Sequence, residues 1–376
     1  MGKIYSALGL MSGTSMDGVD ASIIQSDGNS TYKVIFNKYF EYNKDIFKKL
    51  TNLRDKISSS KDLNKMSKEI IILEKEITLF HAQISKKMIL QSITDIDLVG
   101  FHGQTIFHNI DEKMTKQIGD GNLLSQLIKK KVIYDFRQND LKNGGGGAPL
   151  TPIFHKLLVK KLEKEKKIKT PITILNIGGI TNATFINTEY EITSLDVGPG
   201  NCLIDKWIRV NSDKNFDKNG DIAKSGKIDK FILEQSLDNY YNNNIDKKNS
   251  LDINDFDISF ARGLSVEDGV ATLTDFTASI IGEEISSAIV KSGYEVKDVL
   301  ICGGGRKNNV LIKKIKENTS FNLNLKLIDS FGINGDFVES QAFAFLAIRS
   351  ILNLPISFPS TTGCIKPCSG GELIKN

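Results

Sequence analysis

This sequence has few cysteines and no long apolar run. Its 376 residues include four cysteines, Cys202, Cys302, Cys364 and Cys368. They are too few and too scattered for a disulfide framework. Cys364 and Cys368 approach a metal-binding pair, but the sequence offers no second pair or nearby histidine to complete a zinc site. We therefore expect structural thiols at these positions.

No stretch of the chain reaches the roughly 18 apolar residues that a membrane helix needs. The opening "MGKIYSALGLM" also lacks the basic segment followed by a sustained apolar one that marks a secretory signal. We expect a reducing, cytoplasmic location and no membrane contact.

Charge of one sign is not in large excess, since 49 basic residues stand against 45 acidic ones for a net charge of +4. Lysine far outnumbers arginine and falls at helix-like surfaces such as "KKLEKEKKIK", a pattern that does not indicate nucleic-acid binding. The length and the 40% hydrophobic content suffice for two cores, so we expect two domains of similar size.

The order of apolar runs and glycine turns predicts an α/β fold. Two β-rich runs, "KIYSALGLM" and "GVDASIIQSDG", read as a hairpin, and "PITILNIGGITNATFIN" repeats strand, glycine turn and strand in the second half. This recurrence indicates duplicated α/β domains that face a cleft. Residues 38–91 predict one or two amphipathic helices, and residues 211–257 predict mainly surface loops with a short helix.

The hairpin tip "GLMSGTSMDGVD" is rich in glycine, hydroxyl and acidic residues. Backbone N–H groups can converge in such a turn to bind phosphate, with Ser12, Thr14 and Ser15 as further donors. Asp17 and Asp20 could hold a magnesium ion directly or through water. The alternative is an ordinary tight hairpin tip built from turn-favouring residues.

Similar turns follow at "NIGGITN" (Gly178 and Gly179) and "CGGGRKN" (Gly303, Gly304 and Gly305). Three such turns favour a nucleotide held between two domains over a chance occurrence of turn residues. The spacings of a P-loop, a dinucleotide-binding fingerprint and a calcium loop are each broken, so those classes are disfavoured.

Asp196 in "LDVGPGN" is the catalytic candidate. A carboxylate after an apolar strand, before a Gly-Pro-Gly turn, can accept a proton from a hydroxyl or water nucleophile. The alternative is a cap for the next helix, a role for which Asn201 is better placed.

Four polar residues of the first half fit a sugar that carries an acidic group. Arg137 at a strand end can clamp a carboxylate in bidentate fashion, and Asp140, His102 and Gln104 offer mixed donors and acceptors. For His102 alone, a satisfied core histidine fits equally well.

With these residues identified, the chain resembles the anhydro-N-acetylmuramic acid kinase family, in the hexokinase, Hsp70 and actin superfamily. The matching segments run in family order along nearly the whole chain and are "GLMSGTSMDGVD", "GFHGQTIFH", "IGDGNLL", "DFRQNDLKNGGGGAPLTPIFH", "NIGGITN", "LDVGPGN", "FDKNGDIAKSG", "GLSVEDGVATLTDFTA", "CGGGRKN" and "ESQAFAFLA".

The resemblance implies an enzyme that uses ATP, magnesium and water to convert 1,6-anhydro-N-acetylmuramic acid, a product of cell-wall turnover, to N-acetylmuramic acid 6-phosphate and ADP. It implies that Asp196 is the base that activates the water. The phosphates would lie on Gly13–Asp20, that is on Gly13, Thr14, Ser15, Met16, Asp17, Gly18, Val19 and Asp20. The other glycine turns would line the nucleotide, and His102, Gln104, Arg137 and Asp140 would hold the sugar.

The same resemblance implies two actin/hexokinase-like (ribonuclease H-like) domains flanking a nucleotide cleft. Residues 1–148 with 337–376 would form the N-terminal domain with the sugar and γ-phosphate contacts, and residues 149–336 the nucleotide-binding domain. A homodimer is expected. Val197 replaces the threonine expected after the base, and "TTGCIKPCSGGEL" is a looser version of the family ending. The alternatives are an ordinary kinase for an intact hexose or amino sugar and an actin-like, nucleotide-dependent scaffold.

Overall fold

The computed structural model describes residues 2–243 and 251–375. They form two compact units, Met1–Lys161 with Asp336–Asn376, and Leu162–Gly335. The observed division falls within a helix, Pro152–Lys164, rather than at the glycine-rich stretch where the sequence places the domain boundary.

Strands build one sheet in each unit. Their bounds are β1 Tyr5–Ser12, β2 Gly18–Ser26, β3 Tyr32–Glu41, β4 Leu98–Asn109, β5 Met114–Ile118, β6 Lys131–Tyr134, β7 Ile172–Ile177, β8 Ile180–Ile186, β9 Ile192–Pro199, β10 Asp298–Cys302, β11 Asn324–Leu327 and β12 Glu372–Ile374.

Helices connect the strands and cover the sheets. Their bounds are α1 Lys44–Asp55, α2 Ser60–Lys65, α3 Ser67–Gln91, α4 Gly121–Ile128, α5 Gln138–Lys142, α6 Pro152–Lys164, α7 Cys202–Asn211, α8 Asp221–Ser225, α9 Lys230–Asn243, α10 Val266–Ser292, α11 Asn309–Glu317, α12 Val338–Ile351 and α13 Pro359–Thr362.

The five strands of the second sheet repeat the order of five strands of the first, β6-β4-β1-β2-β3. The first runs β12-β6-β4-β1-β2-β3 with β5 on β4, and the second runs β11-β10-β7-β8-β9. In each, a three-stranded antiparallel meander is extended by two strands parallel to its first strand. The predicted α/β class is confirmed, and the repeated strand order agrees with the expected duplication of the domains.

The predicted hairpin at the start of the chain is confirmed as β1 and β2, with Leu8 opposite Ile23. One face of this sheet buries a large apolar cluster that includes Leu8, Leu10 and Ile77. On the other face α12 lies so close that a Cβ at Gly9 would collide with the backbone of Ser340. Glycine is required there because only a bare Cα leaves room for the helix.

Residues 211–257 are more helical than the sequence predicts. Here α9 packs Leu233, Leu237 and Tyr240 against a cluster containing Phe256 and Phe276. Polar residues interrupt the periodic spacing of apolar residues in this helix, so its buried face is recognised only from the tertiary contacts. The part of the prediction that covers residues 244–250 lies outside the described residues.

Candidate active site

The tip of the β1–β2 hairpin is held in place by the buried residue Met16 and is uncrowded at Gly13. Met16 is fully buried, has a positive φ of 60° and donates its backbone N–H to the Gly13 carbonyl at 3.2 Å. The nearest atom to a Cβ built on Gly13 is Ser15 Oγ, at 3.8 Å. The tip therefore combines a fixed backbone with room for a ligand beside Gly13.

Ser12 hydrogen-bonds to two buried residues that the sequence did not single out, His81 and Tyr42. Ser12 Oγ lies 3.1 Å from His81 Nε2 and 3.0 Å from Tyr42 Oη. His81 Nδ1 lies 2.8 Å from the Ile77 carbonyl, which can only accept, so Nδ1 carries the proton and Nε2 accepts from Ser12. Burial lowers the pKa of His81 to about 4, and the imidazole is neutral. No local signal in the helical sequence of α3 marks this histidine.

The two predicted magnesium ligands differ in exposure. Asp17 is exposed and accepts a hydrogen bond from Ser15 Oγ at 2.6 Å. Asp20 is half-buried within β2, where it lies opposite Met11. Both side chains offer the hard oxygen ligands that magnesium prefers.

His102 and Gln104 lie on β4 and each hydrogen-bonds to a segment distant in sequence. Gln104 Nε2 donates to the Gly13 carbonyl at 2.8 Å, and Arg137 Nη2 donates to His102 Nε2 at 2.9 Å. His102 and Gln104 are buried, whereas Arg137 is half-buried. Burial, and then the charge of Arg137, lower the pKa of His102 well below its ordinary value. A neutral His102 therefore orients the guanidinium.

Asp140 is 1% exposed and holds the glycine-rich loop that follows α5. Its Oδ2 accepts from the Gly147 N–H at 2.7 Å, and its Oδ1 accepts from Thr362 Oγ1 at 2.7 Å. Arg137 Nη1 donates to the carbonyl of the same Gly147 at 2.8 Å. The loop is thus the shared partner of Asp140 and Arg137.

In the second unit, the glycine turns meet by direct backbone contact. The N–H groups of Gly200 and Asn201 donate to the carbonyls of Gly179 and Gly178, each at 2.8 Å. A Cβ on Gly305 would collide with the Ile177 side chain, and one on Gly303 would lie 2.5 Å from Asn176 Oδ1. These glycines allow three chain segments to pack without side chains between them.

Gly304 differs from its neighbours because the space in front of its Cα is open. The nearest atom to a Cβ built there is Asn201 Nδ2, at 3.9 Å. Gly178 is similarly uncrowded, with the Ile180 carbonyl oxygen at 3.4 Å. Gly178 and Gly304 are therefore the positions of these turns where a ligand can approach the backbone.

Arg306, which the sequence analysis did not select, fixes the turn at Gly303–Gly305. It is 5% exposed and donates through Nε and Nη2 to the two carboxylate oxygens of Asp329, at 2.7 and 2.9 Å. Its Nη1 donates to the Gly303 carbonyl at 3.0 Å. The hydrogen bond from Arg306 lowers the pKa of Asp329. A bidentate pair of this kind holds a turn rigidly. In the sequence, this role of Arg306 is indicated only by its position after three glycines.

Asp196 lies on β9 opposite Asn182 of β8. The side chain is half-buried, and its Oδ2 accepts from the Leu251 N–H at 2.8 Å. Asn201 occupies the N-cap position of α7 but makes no capping hydrogen bond with its side chain. The expectation that Asn201 caps this helix is therefore wrong, because its side chain lies against Gly304 and Gly305 instead.

Comparison with known proteins decides the family. Residues 5–376 match the anhydro-N-acetylmuramic acid kinase family. A protein of Pelagibacter ubique with that name is 55% identical over 379 residues, covering 100% of both chains. This chain belongs to the anhydro-N-acetylmuramic acid kinase family. Two proteins of the same name are each 36% identical to it. The one from Agrobacterium fabrum aligns over 100% of both chains. The one from Zymomonas mobilis aligns over 98% of this chain and 99% of its own length.

One solved structure that aligns with most of the chain is a much more distant match. The activator of 2-hydroxyisocaproyl-CoA dehydratase from Clostridium difficile, with bound ADPNP, aligns with 92% of this chain and 94% of its own at 11% identity and a TM-score of 0.40. A similarity this weak carries no argument about the site.

Membership of the anhydro-N-acetylmuramic acid kinase family confirms the predicted enzyme class, a phosphotransferase. It does not favour the ordinary sugar kinase or the actin-like scaffold. Among the described residues, no helix combines the length and apolar character needed to cross a bilayer.

Proposed function

We propose that this chain uses ATP and water to open 1,6-anhydro-N-acetylmuramic acid and to phosphorylate its O6, giving N-acetylmuramic acid 6-phosphate and ADP. The observation that carries the proposal is the family match over residues 5–376, together with a namesake relative that is 55% identical from end to end. We further propose a cytoplasmic homodimer that acts in cell-wall recycling.

Arg137 is the proposed contact for the carboxylate of the sugar. It is half-buried, and its guanidinium is held by His102 and by the Gly147 carbonyl. A planar guanidinium fixed in this way loses little entropy on pairing with a carboxylate. Because His102, Gln104 and Asp140 are buried, we propose that they support the sugar site through Arg137, Gly13 and Gly147.

The ATP phosphates are proposed to lie on the hairpin tip Gly13–Asp20, and the rest of the nucleotide against Gly178, Gly179 and Gly303–Gly305. Asp17 and Asp20 have the oxygen donors that fit magnesium, and they are the residues proposed to hold it. When bound, the ion neutralises charge on the phosphates.

Asp196 is proposed to accept a proton from the attacking water. The water oxygen forms a bond to the anomeric carbon, and the bond from that carbon to O6 breaks. The freed O6 attacks the γ-phosphorus, and the bond to the ADP leaving group breaks. General-base assistance of this kind contributes about 100- to 10,000-fold to a rate.

ADP release with three sugars tests the proposed reaction. We expect turnover with 1,6-anhydro-N-acetylmuramic acid and none above background with intact N-acetylmuramic acid or glucose, because the proposed reaction begins with addition of water at the anomeric carbon of the anhydro sugar. A reaction in ¹⁸O-labelled water should place one label at the anomeric hydroxyl of the product. Turnover with an intact sugar would contradict the proposal and indicate an ordinary sugar kinase.

Two neighbouring glycines offer a matched test of the nucleotide site. Gly304→Ala places its methyl in open space, so we expect unchanged stability and ATP binding weakened about tenfold, or about 1.4 kcal/mol. Gly305→Ala forces a methyl into the Ile177 side chain, so we expect a loss of about 1–3 kcal/mol in unfolding free energy. Thermal unfolding with and without ATP measures both effects. Wild-type ATP affinity in Gly304→Ala would remove this glycine from the proposed site.

A further inference from the structure

Three potential metal ligands from distant parts of the chain meet in the N-terminal unit. Among the described residues, the ligand atoms of Asp140, Cys364 and Cys368 all lie within 4.8 Å of one another, and all three side chains are buried. Asp140 comes from α5, whereas the two cysteines follow α13 near the end of the chain. The structure therefore supplies the third ligand that the sequence alone does not offer to this cysteine pair.

The backbone around the pair is well defined. Gly363 turns the chain at the end of α13 with a φ of 75°. The N–H of Cys368 donates to the Ser357 carbonyl at 3.1 Å, and the N–H of Ser357 donates back to the Cys368 carbonyl at 3.2 Å. The Ile365 N–H donates to the Asn143 carbonyl at 3.0 Å. These bonds fix the segment that carries both thiols against the segment that carries the carboxylate.

The spacing of the ligand atoms suits a small thiophilic cation. Metal–sulfur bonds of about 2.3 Å and metal–oxygen bonds of about 2.0–2.2 Å place neighbouring sulfur and oxygen ligands about 3.5–3.8 Å apart. Cys368 Sγ lies 3.9 Å from Asp140 Oδ1. We propose that Cys364, Cys368 and Asp140 form a three-ligand site for a thiophilic divalent cation of the zinc type, with water as the fourth ligand.

Polar neighbours are arranged to orient these ligands. Thr362 Oγ1 donates to Asp140 Oδ1 at 2.7 Å, and the Gly147 N–H donates to Oδ2 at 2.7 Å. Ser357 Oγ lies 3.0 Å from Cys368 Sγ, where its hydroxyl can donate to a thiolate. Outer partners that fix the orientation of ligands are typical of built metal sites. On binding, the two thiols release their protons to solvent as the metal–sulfur bonds form.

The site would join the end of the chain to the glycine-rich loop. Asp140 already holds Gly147, so a cation bound to Asp140 and the two cysteines would crosslink that loop to the segment after α13. The crosslink would hold the loop whose Gly147 carbonyl accepts from Arg137, but the proposal of a cation site does not rest on the proposed reaction.

Metal binding by the full-length protein tests the site. The protein is reduced with a phosphine, freed of metal with a chelator and titrated with Zn²⁺ against a chromophoric chelator. Cd²⁺ is titrated in parallel and followed by its thiolate charge-transfer absorbance. We expect one equivalent of each ion, binding at least tenfold weaker in Cys364→Ser and in Cys368→Ser, and wild-type binding in Cys202→Ser, which removes a thiol outside the cluster.

Thiol protection provides a measurement that does not depend on a variant's folding. Zn²⁺ should slow alkylation of Cys364 and Cys368 in the wild-type chain, as located by mass spectrometry, and leave the rate at Cys202 unchanged. Absence of a bound equivalent, wild-type affinity in both serine variants, or equal alkylation rates with and without Zn²⁺ would overturn the proposal.

Discussion

Replacing Asp196 by asparagine is expected to lower kcat by about 100- to 10,000-fold, because an amide cannot accept the proton of the attacking water. The change should leave the fold intact. The amide oxygen of asparagine can still accept the Leu251 N–H that Asp196 Oδ2 accepts at 2.8 Å. The measurement is the rate of ADP release at saturating ATP and anhydro sugar, with thermal unfolding as the check on folding.

Asp298→Asn is the matched control for that substitution. Asp298 lies at the start of β10 and pairs with Lys326 at 2.9 Å. Both side chains are partly exposed, and ion pairs at a protein surface contribute about 0–1 kcal/mol, so this variant should keep wild-type kcat and nearly wild-type stability. If Asp196→Asn kept more than about a tenth of the wild-type kcat, a water-activating role for Asp196 would be contradicted.

Acid is expected to destabilise the N-terminal unit strongly between pH 7 and pH 5. The chain has four histidines, and all of them lie in this unit. Burial lowers the pKa of His81 and His108 to about 4 and of His155 to about 3, and that of His102 well below its usual value. In the unfolded chain each histidine titrates near its ordinary pKa of about 6.5.

Below about pH 6.5 the histidines of the unfolded chain bind protons that those of the folded chain do not. Their contribution to the free energy of unfolding is therefore fully present above about pH 6.5 and is lost as the pH falls. Each histidine contributes a loss of about 1–2 kcal/mol between pH 7 and pH 5. Four such losses are comparable with the whole stability of a domain, about 5–15 kcal/mol. Urea unfolding at the two pH values, followed by far-ultraviolet circular dichroism, measures the difference.

His155→Gln provides the control, since it removes one titrating group and should reduce the pH dependence of the unfolding free energy by about a quarter. Equal unfolding free energies at pH 7 and pH 5 in the wild-type chain would show that these histidines are protonated in the folded state as well.

Much of the fold was predictable because its signals are local. Runs of strand-favouring residues predict β1 and β2, and the small residues of "MSGTSMDG" predict their tight connection. Glycines in the second half likewise mark turns. The sequence predicted only a short helix within residues 211–257, because the buried face of α9 is defined by Tyr240 packing on Phe256 and Phe276. No local window of sequence contains these partners.

Some residues of the candidate site could be predicted from the sequence, and others could not. Gly13, Asp196 and Arg137 were selected because glycine, carboxylate and guanidinium groups at strand ends have recognisable chemistry. His81 and Arg306 were not selected, because each acts through a partner remote in sequence, Ser12 in one case and Asp329 in the other.

By itself the sequence determined the α/β class, the duplicated strand pattern and the family, since each depends on residue type and short-range spacing. Only the tertiary structure decided which glycines are closed by packing, as at Gly305, and which are open, as at Gly304. It also decided that Asp140 lies beside Cys364 and Cys368. The physical reason is that burial and ligand geometry depend on atoms contributed by distant segments, and their separation is set only when the chain packs.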